Sequence, residues 1–450
     1  MTSPTVAVLA DLPKIRPWLE DLYRHLHAHP ELSMAEHETA ARVVTELKGM
    51  AQLAGLRTDT VQRSSAEGDE EVMDIVTGLG GTGVVAVVRN GAGPTVLMRA
   101  DMDGLPVQED TGLDYASTVW TTNKQGESVP VMHACGHDTH VATLLAALRL
   151  LITSREAWAG TLIAVFQPAE EQDNGAEAMV ADGLVERLPR PDVALGQHVL
   201  PGPAGSVQVA DGPIMASCDD FRITLHGKGG HGSAPHTALD PVVMAASLVL
   251  RLQTIVSRQV APSATAVVTV GRIQAGTKTN IIPSQAVLEG TVRTYDAGVA
   301  QTCLAAIQRT ARAEAAAWGA PEPDFETFDH LPVTDNDPAT TDRVRSALAA
   351  ELGADQVRIF EPESGSEDFG ELPDAWGVPY CYWGFGAFDA DTWAQAEEAG
   401  SLADLPDNHS PHFAPVLQPM LDTGVRAMVA ATLEWVGRDA AGVDDGAGEA

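Results

Sequence analysis

Cysteine and long apolar runs are both scarce in this sequence. Its 450 residues include 4 cysteines whose spacing fits no disulfide framework: Cys135, Cys218, Cys303 and Cys381. Unpaired thiols are typical of reducing compartments, so we expect a cytoplasmic protein. The apolar stretches are short or interrupted, which predicts no membrane-spanning helix. The weak apolar patch near the N-terminus follows no basic residues, and this predicts no signal peptide.

Positive charge is scarce as well. The chain has 28 Lys and Arg residues against 62 Asp and Glu residues, a formal net charge of -34. Such a surface repels nucleic acids and anionic membranes, so we expect neither as a partner. A salt-rich setting and a bias toward solubility both remain open as reasons for the charge. The length and a hydrophobic content of 44% are sufficient for two domains with sizeable cores.

What the sequence does contain is a cluster of metal-binding residue types, His-Ala-Cys-Gly-His-Asp-Thr-His at positions 133–140. Gly136 lets the backbone turn so that the Cys135 thiol and the His137 imidazole can converge on one point. A divalent ion bound there would hold the thiol as thiolate. A buried free cysteine and a thiol nucleophile beside His137 are the alternatives. Ligands elsewhere in the chain decide between these interpretations.

Further potential ligands follow predicted strands. They are Asp101 and Asp103 after a strand that starts at Thr95, Glu170 and Glu171 after strand 161–166, His198 after strand 193–195, and His409 in a loop. In an open α/β sheet the carboxyl ends of the strands line up at one edge, where ligands usually bind. For the two glutamates, a solvated acidic turn that opens a helix near Gly175 is the alternative.

Several motifs in this order resemble one family over nearly the whole chain, from about Trp18 to Trp435. They are RADMDGLP at 99–106, HACGHD at 133–138, QPAEE at 167–171, GHGSAPH at 230–236, TNIIP at 279–283, GSEDF at 365–369 and HSP at 409–411. The family is that of the two-metal aminoacylase and carboxypeptidase-like amidohydrolases. Within it, the chain resembles the subfamily of N-acyl-amino-acid, hippurate and indole-acetyl-amino-acid hydrolases.

The resemblance implies a centre of two divalent ions, with Cys135 where a ligand could bridge them. The implied metal ligands are Cys135, His137, Glu171, His198 and His409. Thiolate and imidazole favour zinc, and mixed carboxylate ligation also accommodates manganese, cobalt or nickel. Related carboxypeptidases have a metal-binding histidine where this sequence has Asp101. The number of ions and their coordination therefore stay open.

The resemblance also implies catalytic and substrate-binding residues. Glu170 looks like the general base, which takes a proton from the attacking water and passes it to the leaving amine. Asp103 would orient a ligand or the base. His231, supplied from the smaller domain or across a dimer, would stabilise the tetrahedral oxyanion. Asn280 and Arg293 resemble the groups that bind the free carboxylate of the substrate.

The order of predicted elements indicates an α/β fold with two domains. Residues 1–213 and 331–437 form a larger, metallopeptidase-like catalytic domain that is discontinuous in sequence. Between them, residues 214–330 read β-α-β-β-α-β, which predicts an inserted ferredoxin-like domain acting as a lid and dimerisation domain. The predicted elements of the insertion are strand 221–226, helix 241–256, strands 264–273 and 285–294, helix 298–318 and strand 324–328. The tail, 438–450, is predicted to be disordered.

These features predict a metal-dependent amidohydrolase that cleaves an N-acyl-L-amino acid, a small molecule, to a carboxylic acid and a free amino acid. A dipeptidase or carboxypeptidase of the same family is the alternative. Two hypotheses from other functional classes are a hydrolase with Cys135 as nucleophile and a non-catalytic binding protein. The presence of Glu170 argues against the binding protein, because such a protein needs no proton shuttle. The resemblance further implies a homodimer through the smaller domain. The acyl group stays open, since the aromatic and glycine residues at 383–386 fit an acyl pocket or a core and turn segment equally well.

Overall fold

A computed structural model describes residues 3–65, 67–172 and 175–438. These residues divide into two compact units. The first comprises the chain up to Gly212, Asn336–Glu361 and the chain from Asp368 onward, and the second comprises Pro213–Asp335 and Pro362–Glu367. The role of residues 214–330 as a lid and dimerisation domain stays a prediction. Apart from Arg438, the predicted disordered tail lies outside the described residues.

The strands are β1 (Arg57–Thr60), β2 (Val72–Leu79), β3 (Gly83–Asn90), β4 (Thr95–Asp101), β5 (Trp120–Thr122), β6 (Ser128–Pro130), β7 (Gly160–Gln167), β8 (Val193–Pro203), β9 (Val207–Gln208), β10 (Gly212–Met215), β11 (Ser217–His226), β12 (Gly230–His231), β13 (Ala266–Ala275), β14 (Ile281–Ile282), β15 (Gln285–Thr294), β16 (Asp324–Leu331), β17 (Thr334–Asn336), β18 (Val357–Arg358) and β19 (Tyr380–Phe388). The helices are α1 (Pro4–Leu9), α2 (Leu12–Ala28), α3 (His37–Leu53), α4 (His137–Thr153), α5 (Gly175–Ala181), α6 (Leu184–Arg187), α7 (Pro241–Leu252), α8 (Thr254–Gln259), α9 (Ala297–Ala317), α10 (Pro338–Leu352), α11 (Glu371–Asp374), α12 (Ala390–Ala399) and α13 (Met420–Val436).

The first unit is built on a nine-stranded sheet in the order β1-β2-β3-β7-β4-β8-β19-β9-β18. Strands β7, β4, β8 and β19 are parallel neighbours in its centre. Every residue of β4, β7 and β19 is buried, as expected for parallel strands covered on both faces. Helices α4 and α13 pack against each other and against β4 and β8. The parallel centre brings the ends of β4 and β7 to the same edge, where polar side chains collect.

The spacing of apolar residues explains why helix α2 forms and which of its faces is buried. This helix spans Leu12–Ala28. Its apolar residues recur at spacings of four and three residues and all lie in the core: Ile15, Leu19, Leu22 and Leu26. This period places one face of the helix on the core and leaves the other for charged residues.

The second unit contains an antiparallel four-stranded sheet in the order β13-β15-β11-β16. Side chains of α7 and α9 share one core with these strands. Element order and strand order are those of a ferredoxin-like sandwich, and the predicted fold class is confirmed. Strand β15 has the predicted bounds, whereas the predicted helix 241–256 is divided into α7 and α8 at Gln253. Within the described residues, no helix is long and apolar enough to cross a bilayer.

Candidate metal centre

Cys135 lies two residues before α4, and His137 is the first residue of this helix. Gly136 between them has a φ of 83°, in the left-handed region. A Cβ atom at this position would lie 2.3 Å from Val199 Cγ1. Both the backbone conformation and the close approach of β8 therefore require glycine.

The five predicted metal ligands converge in the first unit. Cys135 Sγ lies 3.4 Å from His198 Nε2, and His409 Nε2 lies 3.0 Å from Glu171 Oε1. The possible ligand atoms of Cys135, His137 and His198 all lie within 4.8 Å of one another, and so do those of Cys135, Glu171 and His409. Two triads thus share the Cys135 thiol. The assignment of these residues as ligands stays a prediction that this geometry supports.

Glu170 belongs to a third such group, with His137 and Glu171. Its Oε2 lies 3.8 Å from His137 Nε2. It follows strand β7 in the loop that also carries Glu171, as the sequence predicted. A carboxylate at this distance from the ligand cluster is near enough to exchange a proton with a water held there.

Hydrogen bonding tests whether the cluster fits a metal ion. Among the five predicted ligands, His137 has a buried ring atom, Nε2, that forms no hydrogen bond. Buried polar atoms are rarely left unpaired, so an atom without a partner indicates a missing ligand. Thiol, imidazole and carboxylate donors are the set that zinc and similar divalent ions prefer. The residues present therefore fit a divalent metal.

The charges around the cluster favour a cation. Burial would lower the pKa of His137, but Asp101 and Asp103 raise it to about 10. The site thus stabilises a positive charge next to His137 Nε2. Burial lowers the pKa of His198 well below its usual value, which keeps this imidazole neutral as a metal ligand must be.

The thiol of Cys135 is not prepared to act as a free nucleophile. Burial raises its pKa well above the usual value, and the neighbouring carboxylates Glu171 and Glu170 raise it further. A nucleophilic cysteine needs a lowered pKa, because the thiolate is the reactive form. A bound cation is what would release the proton of this thiol. Burial of the thiol beside two carboxylates therefore favours the metal-ligand interpretation of Cys135 over the nucleophile interpretation.

Asp103 links the cluster of predicted metal ligands to the loop that carries Glu170. Its Oδ1 accepts hydrogen bonds from His137 Nδ1 at 3.2 Å and from the Glu170 N–H at 3.2 Å. Its Oδ2 accepts from the Glu171 N–H at 3.1 Å and from Ser33 Oγ at 2.7 Å. The bond to Nδ1 fixes the His137 tautomer that leaves Nε2 facing the cluster. This geometry supports the predicted orienting role.

Asp101, the last residue of β4, has both oxygens engaged in hydrogen bonds. Oδ2 accepts from Arg99 Nη1 at 2.6 Å and Oδ1 from His140 Nδ1 at 2.5 Å. His140 Nε2 in turn accepts from the Val199 N–H at 2.8 Å. Sequence reasoning missed His140, although it lies one helical turn after His137. Asp101 and His140 therefore connect the end of β4 to the backbone of β8 beside His198.

His198 and His409 are positioned by backbone contacts. His198 Nδ1 donates to the Val199 carbonyl at 2.7 Å, so Nε2 carries the lone pair that faces Cys135. Asn408 Nδ2 donates to the carbonyls of Cys135 at 3.0 Å and Val199 at 3.2 Å. The prediction that His198 follows the end of its strand is wrong. Strand β8 continues to Pro203, because its pairing with β19 extends beyond the last residue that pairs with β4.

The other three predicted site residues lie in the second unit. His231 is in β12, and its Nδ1 accepts from the Ser233 N–H at 3.1 Å. In the neutral ring Nε2 then carries the proton and can donate. Asn280 directly precedes β14, the strand that pairs with β12. Its backbone carbonyl accepts from the Gly232 N–H at 2.8 Å. Arg293, in β15, donates to the Ser364 carbonyl at 3.1 Å and to Ser366 Oγ at 3.0 Å.

Together, the α/β sheet and the ligand cluster at its strand ends define a class, the metal-dependent hydrolases. A family model described as peptidase family M20/M25/M40 matches residues 97–409. The chain belongs to this family, and it is a hydrolase that acts on amide bonds. The resemblance stated from the motifs is thereby confirmed.

Individual relatives agree with this assignment. The chain is 37% identical over 353 residues to N-acetylcysteine deacetylase of Bacillus subtilis, a match that covers 78% of this chain and 84% of the relative. It is 36% identical over 363 residues to thermostable carboxypeptidase 1 of Saccharolobus solfataricus, covering 80% and 84%. The crystal structure of the YXEP protein of Bacillus subtilis, a dinuclear metal-binding peptidase of family M20, matches with a TM-score of 0.71 and 30% identity, covering 94% of this chain and 98% of that one.

Proposed function

We propose that this protein hydrolyses the amide bond of N-acyl-L-amino acids and releases a carboxylic acid and a free amino acid. The observation that carries the proposal is the convergence of the five predicted ligands with Glu170 beside them. A relative named as a deacetylase of N-acetylcysteine supports the substrate class.

We further propose that two divalent ions bind, one to each of the triads that share Cys135. The dinuclear metal binding of the YXEP protein supports this number. When bound, such ions supply Lewis-acid activation of water and of an amide carbonyl. The ligand set favours zinc, with manganese, cobalt or nickel as alternatives.

Side chains of the protein would transfer the protons, stabilise the oxyanion and bind the substrate. Glu170 takes a proton from the attacking water and delivers it to the leaving nitrogen, so one carboxylate acts first as base and then as acid. Asp103 holds the Glu170 N–H and the His137 ring, and so fixes base and ligand relative to each other. His231 donates a hydrogen bond from Nε2 to the developing oxyanion, and Asn280 and Arg293 bind the free carboxylate of the substrate.

A carboxypeptidase or dipeptidase is the second candidate, because a relative of similar identity is named a carboxypeptidase. The two activities differ in whether the group on the acyl side of the scissile bond is itself an amino acid. Both would use the same metal cluster and the same base.

A substrate panel separates the candidates. Purified protein is assayed with N-acetyl, N-benzoyl and long-chain N-acyl amino acids and with dipeptides, before and after chelation and after each divalent metal is restored. We expect metal-restorable hydrolysis of the N-acyl amino acids. Preference for dipeptides would establish the second candidate, and activity that survives complete metal removal would contradict both.

Oligomeric state and location complete the proposal. A homodimer through the second unit is supported by the edge position of β13 and by exposed apolar side chains there, Leu250 on α7 and Ile273 on β13. A cytoplasmic location is supported by the four cysteines, all of them unpaired thiols.

A further inference from the structure

Glu36 is a carboxylate with no exposed surface just before helix α3. Its side chain does not cap that helix. Oε1 instead accepts hydrogen bonds from the N–H groups of Met34 and Ala169, each at 2.9 Å. Oε2 accepts from Thr82 Oγ1 at 2.6 Å. One carboxyl group therefore joins three segments that are far apart in sequence.

The two backbone amides on Oε1 both belong to residues in the left-handed region. Met34 has a φ of 64° and Ala169 a φ of 52°. In the described chain, only Asp329 and His409 are further non-glycine residues with positive φ. Such conformations persist where the surroundings hold them, and they concentrate at functional sites. A single oxygen of Glu36 holds two of the four.

Ala169 directly precedes the two glutamates of the candidate site. The N–H groups of Glu170 and Glu171 donate to Asp103, and the N–H of Ala169 donates to Glu36. Three successive amides are thus held by two buried carboxylates. The direction in which Glu170 and Glu171 leave the loop depends on the backbone at Ala169, because the left-handed φ of this residue redirects the chain just before them.

We propose that Glu36 is a positioning residue for the loop that carries Glu170 and Glu171. It fixes Ala169 in the left-handed conformation, and this aims both glutamates at the metal cluster. The roles given to the two glutamates rest on the proposed function, whereas the contact between Glu36 and the loop does not.

Two substitutions of Glu36 distinguish the effect of its side-chain length from the effect of its charge. Glu36→Gln keeps the length of the side chain, and its amide can accept from Met34 and Ala169 while donating to the Thr82 hydroxyl oxygen. Glu36→Asp keeps the charge but is shorter by one methylene, about 1.5 Å. If Glu36 acts by holding the Ala169 N–H in place, the Gln variant should behave like the wild type in the measurements below, and the Asp variant should not.

The first readout is hydrogen exchange of peptides covering residues 167–172 in the metal-free protein. We expect faster exchange in Glu36→Asp and unchanged exchange in Glu36→Gln. The second readout is metal affinity by chelator competition, where loss of a supporting contact typically weakens binding about 10- to 100-fold. The third is kcat, for which a displacement near 1 Å can cost about 100-fold. Both are expected to fall in the Asp variant only.

Glu31→Asp is the matched control. The Glu31 side chain accepts from the N–H groups of Glu38 and Thr39 at the start of α3. The same shortening there disturbs contacts at the start of α3, close to Glu36 in sequence, and no hydrogen bond of the Glu31 side chain to residues 168–171 is found in the described structure. We expect exchange of the loop to stay at the wild-type rate in this control.

Ala169→Gly tests the strain itself, because glycine adopts a φ near 52° without the penalty that a side chain carries. Added to Glu36→Asp, it should recover part of the lost kcat and metal affinity. If Glu36→Asp alone does not fold, the same comparison is made in the Ala169→Gly background.

Wild-type exchange and metal affinity in Glu36→Asp would overturn the proposal, and so would equal damage in Glu36→Gln. Failure of the proposed function gives a different pattern, in which the exchange results hold but the wild type cleaves no N-acyl amino acid.

Discussion

At the scale of single residues, the metal cluster depends on backbone conformations that few side chains permit. Gly136 has a left-handed φ and lies against Val199, so it meets two separate requirements. Gly126, in the loop between β5 and β6, has nearly the same φ of 82° but no atom within 4 Å of an added Cβ. Substituting each glycine by alanine therefore distinguishes the free-energy cost of a left-handed φ from the cost of a steric clash at the added Cβ.

We predict that Gly136→Ala destabilises the protein more than Gly126→Ala does. The control carries only the left-handed penalty, about 1–2 kcal/mol. The Gly136 variant carries the same penalty and about 1–3 kcal/mol more for overpacking, and it also loses metal affinity. Chemical denaturation and chelator competition measure the two effects. Equal destabilisation with unchanged metal binding would show that Gly136 is not needed for close packing at the cluster.

At the scale of elements, a buried ion pair joins α2 to α4. His27 Nδ1 lies 2.6 Å from Asp138 Oδ2, and its Nε2 lies 3.0 Å from Glu109 Oε1. Burial would lower the pKa of His27, but the two carboxylates raise it to about 10. Tyr23 and Tyr115 also pack against the ring, and burial raises the pKa of both phenols.

This ion pair predicts a dependence of stability on pH. A raised pKa in the folded state stabilises the protein fully below the unfolded pKa, about 6.5, and the stabilisation is lost as the pH rises toward about 10. At pH 6, His27→Gln should cost about 3–5 kcal/mol, the usual range for breaking a buried pair. Denaturation of both proteins at pH 6, 8 and 10 tests this. A difference that does not shrink with rising pH would contradict a charged His27.

Local pattern predicted elements better than it predicted their contacts. The apolar run at 161–166 and the predicted strand 285–294 rest on local sequence alone, and both strands were found, as β7 and β15. The segment 383–386 left two interpretations open, and Trp383 and Phe385 belong to the core cluster. Glu36 contacts Ala169 across 133 positions in the sequence, and no local period reports such a contact. His140, in α4, was missed because its partners, Asp101 and Val199, come from two separate strands, β4 and β8.

At the scale of the whole molecule, the net charge of -34 opposes compactness. Self-repulsion of a highly charged chain weakens the folded state, and salt screens it because the Debye length falls from about 30 Å at 0.01 M to about 3 Å at 1 M. We predict that the melting temperature rises when sodium chloride is raised from 0.01 to 1 M. Scanning calorimetry at a fixed metal concentration measures it. A flat or falling melting temperature would mean that specific ion pairs outweigh the repulsion.

The central claim is that Glu170 moves protons in a metal-dependent hydrolase. Its most direct test is one comparison of Glu170→Gln with the wild type, in which metal content and kcat on an N-acyl amino acid are measured on the same samples. We predict unchanged metal content and a kcat lower by about 100- to 10,000-fold, since the amide keeps the size of the side chain but cannot take up the proton. Normal turnover in the metal-loaded variant would contradict the claim.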